Sequence, residues 1–447
     1  MIQMHRHRQI YAQIYTETHT KRLRAGIGMW TIWQSLFNRR MLICTFTGFS
    51  SGMPLYLLIT LIPAWLRSEG VGLEEIGLFA LIGLPYTWKF FWAPALDRYS
   101  PTFYGFNLGI RRSWMLLTQL ALFIFICILG SMNPQLNLWS VAYLCMFIAF
   151  LSATQDISID AYRRQILPDH ELGLGNSIHV NAYRISGLIP GSLALILSDF
   201  LPWSTVFLIT GAFMLISVGF TLIISEPPVS EKQPEALQRA IIEPFQEFFT
   251  RQPIRTAILI LAFMLFYKLG DSMATALATP FYIDLGFTNT QIGLVAKHAA
   301  LWPMIFGGIA GGIIMIKIGI NRALWIFGFI QIISILGFAI LARIGEGLWL
   351  LGLIISFEYL GVGLGTAAFV AFIARTTNPA FAATQLALFT ALTALPRTLF
   401  NSTAGILVDT LGWEYFFYLC TLLAMPGMLL LLIVAPWHDN PSHQNDQ

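Results

Sequence analysis

Residues 151–162 read LSATQDISIDAY and follow the apolar run VAYLCMFIAF, so Gln155, Asp156 and Asp160 sit in a segment long enough to enter a membrane. Four residues separate the two carboxylates, which a helix would stack on one face a turn apart. An ionised group in hydrocarbon costs about 2.5–3.5 kcal/mol on insertion scales. Such groups face a wet cavity or a counter-ion, and they mark ion or substrate paths. A carboxylate in a part-dry site holds its proton more tightly, whereas a nearby cation loosens it. Two acids placed this way suit proton-linked chemistry.

Further ionisable residues fall in apolar segments. The cations are Lys89, Arg184, Lys268, Lys297 and Arg397; Asp271 and Glu358 join Asp156 and Asp160 as acids, and His298 follows Lys297. At about 1.5 Å per residue, Asp160 lies about 5 Å from Arg163 and Asp156 about 10 Å inside. Lys89 lies about 12 Å inside Asp97, and Arg184 about 15 Å into its span. Asp156, Lys89 and Arg184 are therefore expected to share one level, with Asp156 as the proton-coupling candidate, competing with Arg184 or Lys89. A permanent Asp156–Arg184 bridge is the alternative. Asp160 is expected level with Asp97, Arg98, Arg111 and Arg112, as the partner of a charged gate. Gln155, Lys89, Arg184, Lys268, Asp271, Lys297, Glu358 and Arg397 are candidate ligands for a polar substrate. For Lys268–Asp271 at i,i+3, and for Glu358 with Arg397, mutual pairing is the competing reading. Tyr86, Trp88, Trp92, Tyr183, Tyr267 and Trp302 could stack on sugar faces or simply pack.

These residues need a membrane scaffold, and the composition supplies one. The 447-residue chain is 56% hydrophobic and 11% charged, with a mean hydropathy of +0.68. Soluble domains carry about a quarter charged residues, so an all-α integral membrane protein is expected. Apolar segments of about 20 residues span a bilayer. Twelve are read at 41–66, 76–96, 113–131, 138–166, 174–200, 203–224, 255–283, 291–318, 322–343, 348–375, 382–409 and 413–435. The proline-bearing charged stretch at 225–254 separates two six-helix bundles, 41–224 and 255–437. Before and after them come a basic segment, 1–40, and a tail, 438–447. The basic segment lacks a short apolar core with a cleavage site, so no secretory signal is expected; Met29 is a second candidate start. Outside the spans, 19 Lys and Arg fall on one side against Arg67 and Arg343 on the other. That bias puts both termini in the cytoplasm.

The halves echo each other: Ile76-Gly77-Leu78 matches Ile292-Gly293-Leu294, and LSDFLPW (197–203) matches VDTLGW (408–413). Duplicated six-helix halves are the plan of major facilitator transporters. There is no basic nucleic-acid-binding motif, no GxxxxGK[ST] nucleotide loop and no Cys/His metal spacing. Cys44, Cys127, Cys145 and Cys420 lie in apolar runs and read as packing residues. No cofactor is expected beyond a proton gradient. A membrane enzyme or nontransporting sensor is the other class, and no clustered nucleophile supports it.

The ordered set NRRMLICTFTGFSSGMPLYL, IGLFALIGLPYTWKFFWAPALDRY, RRSWMLLTQ, LSATQDISIDAYR and YKLGDSMA resembles the AmpG muropeptide permeases of the major facilitator superfamily. The loop 93–114 resembles the superfamily's gate motif, with Ala93-Pro94 in place of its leading glycine. The resemblance implies import of N-acetylglucosaminyl-1,6-anhydro-N-acetylmuramyl peptides across a bacterial inner membrane, driven by protons; a functional monomer is expected. The family's essential acid falls on Asp156. Eukaryotic acetyl-CoA transporters share a similar TQDI element, so an anionic conjugate or a sugar is the alternative substrate.

Overall fold

With no water in the bilayer to satisfy backbone polar groups, an apolar chain must close its hydrogen bonds within helices. The computed structural model describes residues 38–101, 108–168, 171–227, 246–345, 347–377, 389, 394 and 397–437. In chain order the crossing segments are α1 (Arg39–Ser68), α2 (73–98), α3 (Ile110–Gly130), α4 (Leu138–Ile166), α5 (Leu174–Ser198) and α6 (Trp203–Ile223). The second half supplies α7 (Ile254–Asp284), α8 (Asn289–Ile318), α9 (Ile320–Ile344), α10 (Leu348–Thr376), α11 (described at Ala404–Leu411) and α12 (Trp413–Val434).

Ten of these are long and apolar enough to cross a membrane. The remaining two differ for identifiable reasons. Segment α2 is a chain of short turns, Leu73–Leu78, Phe79–Gly83, Leu84–Trp88, Lys89–Phe91 and Ala93–Arg98, where Pro85 and Pro94 each remove a helix hydrogen bond. Much of α11 lies outside the described residues. Other spans are interrupted where the sequence places Pro or Gly. A wide turn at Ile189–Leu193 interrupts α5 within GLIPGS, and a similar turn at Leu57–Leu61 follows Pro54 in α1. Breaks divide α7 after Phe266 and at Leu277.

The apolar cores explain how the halves sit together. One cluster joins both halves. It takes Leu61 and Trp65 of α1, Ile76 of α2 and Leu195 of α5, together with Phe281 of α7 and Phe417 of α12. Those residues all lie toward the end of each span opposite the arginine-rich end. At the arginine-rich end the cores are separate: Phe263, Phe327 and Phe372 in the second half, and Ile159, Met115 and Ile43 in the first. The halves are thus fused at one end and parted at the basic end.

The repeated glycines make that seam. A Cβ on Gly77 would stand 2.8 Å from the Gly405 nitrogen, and one on Gly293 2.8 Å from the Ser192 carbonyl oxygen. The same residue in each repeat therefore lets α2 touch α11 and α8 touch α5 across the interface, the small-residue contact that membrane helices use for close approach. Replacing Gly77 with Val should push the seam apart. Spin labels at Glu74 and Asp409 should then show an added population at longer distance, and an unchanged distribution would contradict this account of the seam.

Candidate functional site

The seam closes with charge as well as packing. Arg67 Nε lies 2.6 Å from Asp284 Oδ1, and Trp413 Nε1 donates to Asp284 Oδ2 at 3.0 Å. Across the other side of the seam the Thr290 amide donates to Asp199 Oδ2 at 2.7 Å. The sequence reading used Arg67 only for sidedness and overlooked Asp284 and Asp199. Asp199 was visible in the LSDFLPW/VDTLGW repeat, but its partner is 91 residues away.

In the first half, α1 and α4 are held by a polar ladder. Gln155 is fully buried, and its Nε2 donates to the Ser50 carbonyl and hydroxyl, each at 2.8 Å. Gln119 Nε2 donates to the same hydroxyl at 3.1 Å and its Oε1 accepts from Thr221 at 2.9 Å. Four helices are thereby linked. Gln155 therefore occupies a helix seam rather than a surface open to ligand, which corrects its expected position.

The next residue, Asp156, accepts a 2.5 Å hydrogen bond from Ser51 through Oδ1, and its Oδ2 lies 4.0 Å from Lys89 Nζ. Lys89 is also 3.7 Å from Asp160 Oδ2, while Asp160 Oδ1 accepts from Arg163 at 2.9 Å. The expected division of the acids by depth is corrected here. A lysine reaches about 6 Å from its backbone, so Lys89, carried on the broken α2, spans the one-turn gap and serves both carboxylates. Exposure still separates the acids: the Asp156 side chain is 13% accessible and that of Asp160 is 50%. No Asp156–Arg184 bridge is present.

Arg111 and Arg112 stand in the first turn of α3. Their amides donate to the Glu226 carboxylate at 2.8 and 3.0 Å, and the Arg112 guanidinium donates to the Thr221 and Leu222 carbonyls. They pin the start of α3 to the end of α6, the favourable arrangement of an acid at a helix N-terminus. Glu226 receives both amides, and it was not singled out in the sequence because it lies beyond the span. Asp97 and Arg98 belong to the Ala93–Arg98 turn; their side chains lie outside the described residues.

Two intramembrane arginines have no hydrogen-bond or ion-pair partner among the described residues. Arg184 of α5 is half-buried and Arg397, just before α11, is exposed. A bare guanidinium is not tolerated against lipid tails, so both belong to the water-accessible space between the halves. Lys297 likewise has no acid partner among the described residues: its Nζ donates to Thr279 Oγ1 at 2.8 Å, and its stem lies against Gly191 of the first half. In the second half Lys268 Nζ is 2.8 Å from Asp271 Oδ2, so the i,i+3 pair forms. Glu358 is fully buried and does not pair with Arg397.

Several aromatics are packing groups. Trp92 donates to Thr154 and stacks near Phe150; Tyr267 is buried and donates to the Leu324 carbonyl. Trp302 lines an apolar groove of about 630 Å³ with Phe306, Leu353 and Phe357 on the outer surface of α8–α10, away from the charged residues. That groove has the lining of a lipid contact, not of a polar ligand site.

A broken-helix bundle of two halves, sealed at one end and lined by unpaired cations, is the build of an alternating-access carrier. The family model described as Major Facilitator Superfamily matches residues 44–401. The crystal structure of a single-residue mutant of the nucleoside transporter NupG superposes with a TM-score of 0.69 at 14% identity, covering 90% of this chain and 100% of that one, which establishes the shared fold. An anhydromuropeptide permease of Escherichia coli K12 is 39% identical over 396 residues, covering 88% of this chain and 79% of its own length. An uncharacterized protein of Haemophilus influenzae is 51% identical over 410 residues, covering 90% and 96%. The chain therefore belongs to the Major Facilitator Superfamily and, within it, to the AmpG-type permeases. It is a multi-pass membrane transporter, not an enzyme.

Neutralising Lys89 would leave Asp156 and Asp160 without their shared cation. Lys89→Gln should cost roughly 1 kcal/mol of unfolding stability, discounted for its partial exposure. Adding Asp160→Asn should recover part of that loss, because the two residues are coupled. Thermal unfolding in detergent tests this; strictly additive losses would show that the bridge is not an energetic unit.

Proposed function

We propose that this chain is a proton-coupled importer of anhydromuropeptides, working as a monomer in the bacterial inner membrane with both termini in the cytoplasm. The observation that carries the reading is the 39% identity to the E. coli permease over 88% of the chain. The excess of basic residues at one end supports that end as cytoplasmic. The structure would then be open inward and sealed toward the periplasm by Arg67–Asp284 and Asp199–Thr290.

The chemistry of the cavity agrees with the substrate. A muropeptide carries amide- and hydroxyl-bearing sugars and a peptide with free carboxylates. Arg184 and Arg397, unpaired and water-accessible, offer forked donors for carboxylates. Asp156 fits the coupling role because Lys89 can leave it for Asp160. When Lys89 sits with Asp156 the carboxylate is held charged; when Lys89 moves to Asp160, Asp156 is left with Ser51 and can accept a proton. Protonation is thereby linked to the position of the broken α2. Asp160 acts as the second seat of Lys89 and adjusts the balance between inward- and outward-facing states. An anionic conjugate such as acetyl-CoA would meet the same arginines, so substrate choice needs direct measurement.

In proteoliposomes, labelled anhydromuropeptide should accumulate only when a proton gradient is imposed. Equal uptake without the gradient would exclude symport, and uptake of CoA esters alone would exclude the substrate. Asp156→Asn should abolish accumulation, by at least a hundredfold, in protein that still inserts and folds. Gradient-driven accumulation at the wild-type level would remove Asp156 from the coupling step. Arg184→Gln should raise the concentration of muropeptide needed for half-maximal uptake by about tenfold, the loss of one charge-assisted hydrogen bond. An unaltered concentration dependence would place Arg184 outside the binding surface.

A further inference from the structure

Glu358 is unused by the coupling scheme above, yet it is the most deeply enclosed acid in the described chain. It lies within α10 with no exposed surface, and neither carboxylate oxygen accepts a well-formed hydrogen bond among the described residues; the Ser334 hydroxyl of α9, which donates to the Gln331 carbonyl at 2.9 Å, stands beside it. Its neighbour across the gap to α7 is Asp271, itself 6% exposed, whose Oδ1 is also enclosed and without a partner. Lys268, 2.8 Å from the other Asp271 oxygen, is the cation within this group.

The remaining groups around the pair are accounted for. Arg397, which has exposed surface, faces Asp271 from the α11 side. Tyr267 and Tyr282 of α7, Tyr359 of α10 and Cys420 of α12 complete the titratable neighbours. Among the described residues no second cation enters the enclosed space. Two ionised carboxylates side by side out of water would repel and lose their hydration together, with one ammonium to offset both.

An independent feature adjoins the Asp271 side of the pair. Gln331 of α9 is 4% exposed, its Nε2 has no partner, and it shares with Asp271 a cavity of about 10 Å³ beneath Gly328 and Ala424. That volume is about the size of one water molecule. Gly361 and Gly365, one and two turns beyond Glu358, bring Gln331 against α10. The site therefore has an enclosed amide donor, an enclosed acceptor and room for a single small polar guest.

We propose that Asp271 and Glu358 form a second proton-binding site, in the second half of the transporter, holding one proton between them beside Lys268. A proton taken from water by the pair leaves one carboxylate charge, which Lys268 neutralises; its release restores two. The site adjoins the break in α7: Lys268 stands in the break, with torsions outside the helical range, and Asp271 lies in the first turn after it. A change of charge here therefore acts on a hinge rather than on a rigid rod. Asp156 and Glu358 lie on α4 and α10, corresponding helices of the two halves, at depths differing by about two turns. Each half would then carry its own protonatable carboxylate. The coupling consequence rests on the proton-driven reading above, whereas proton occupancy can be measured without any substrate.

Infrared spectra of the reconstituted full-length protein at neutral pH test this directly. Wild type should show a protonated-carboxyl band that shifts in heavy water, disappears in Glu358→Gln and is retained in Asp156→Asn. Asp271→Asn should shift or remove the same band, and serves if Glu358→Gln does not insert. A band unaffected by both Glu358→Gln and Asp271→Asn, or absent in wild type, overturns the site. In proteoliposomes the ratio of gradient-driven accumulation to equilibrium exchange of labelled anhydromuropeptide should fall at least tenfold in Glu358→Gln; an unchanged ratio removes the site from coupling. Lack of any muropeptide exchange by wild type would instead defeat the substrate reading, leaving the infrared result to stand by itself.

Discussion

A charge inside a membrane helix must meet either a counter-ion or water, and this requirement organises the whole molecule. Lys89 meets two acids, Lys268 meets Asp271, and Arg67 meets Asp284. Arg184 and Arg397 have no such partner among the described residues, so the space between the halves must stay wet. The parted cores at the basic end supply that space. The single core at the other end closes it.

The two ends are built by different physics. At the sealed end, glycines at repeated positions let backbones touch, and aromatic side chains of both halves share one apolar cluster. Dispersion across such a contact is large only when the surfaces fit closely, so it can be lost as a unit when the halves rock. A few oriented polar contacts, Arg67–Asp284 and the Thr290 amide on Asp199, add direction to that contact. At the basic end each half is braced internally. Glu226 receives the amides that begin α3, and Tyr162 donates to the Ser225 carbonyl at 2.7 Å. Each half can therefore move as a body without unravelling where it is open.

Within the first half, neutral and charged polar groups have separate tasks. The ladder from Gln155 through Ser50 and Gln119 to Thr221 is buried and fixes four helices relative to one another. Asp156, the next residue along α4, points to a side where water and Lys89 reach it. A helix advances about 100° per residue, which is enough to put Gln155 in a seam and Asp156 on a cavity. The TQD element thus joins a structural amide to a titratable acid by adjacency alone.

Hydropathy, the cation bias and the internal repeat were enough to read the all-helical membrane fold, its two halves and the set of buried charges, because all three are one-dimensional patterns imposed by the bilayer. The repeat even marked Gly77 and Gly293. Counting residues along a helix failed for Asp160, since depth measured from the backbone ignores the reach of Lys89 and the breaks in α2 that aim it. Pairings across helices, Arg67 with Asp284 and the Arg111 and Arg112 amides with Glu226, join residues distant in the chain. By itself the sequence determined which residues must avoid lipid. Only the tertiary structure decided which of them avoid it by pairing and which by facing water, because that choice depends on which helix faces lie together in space.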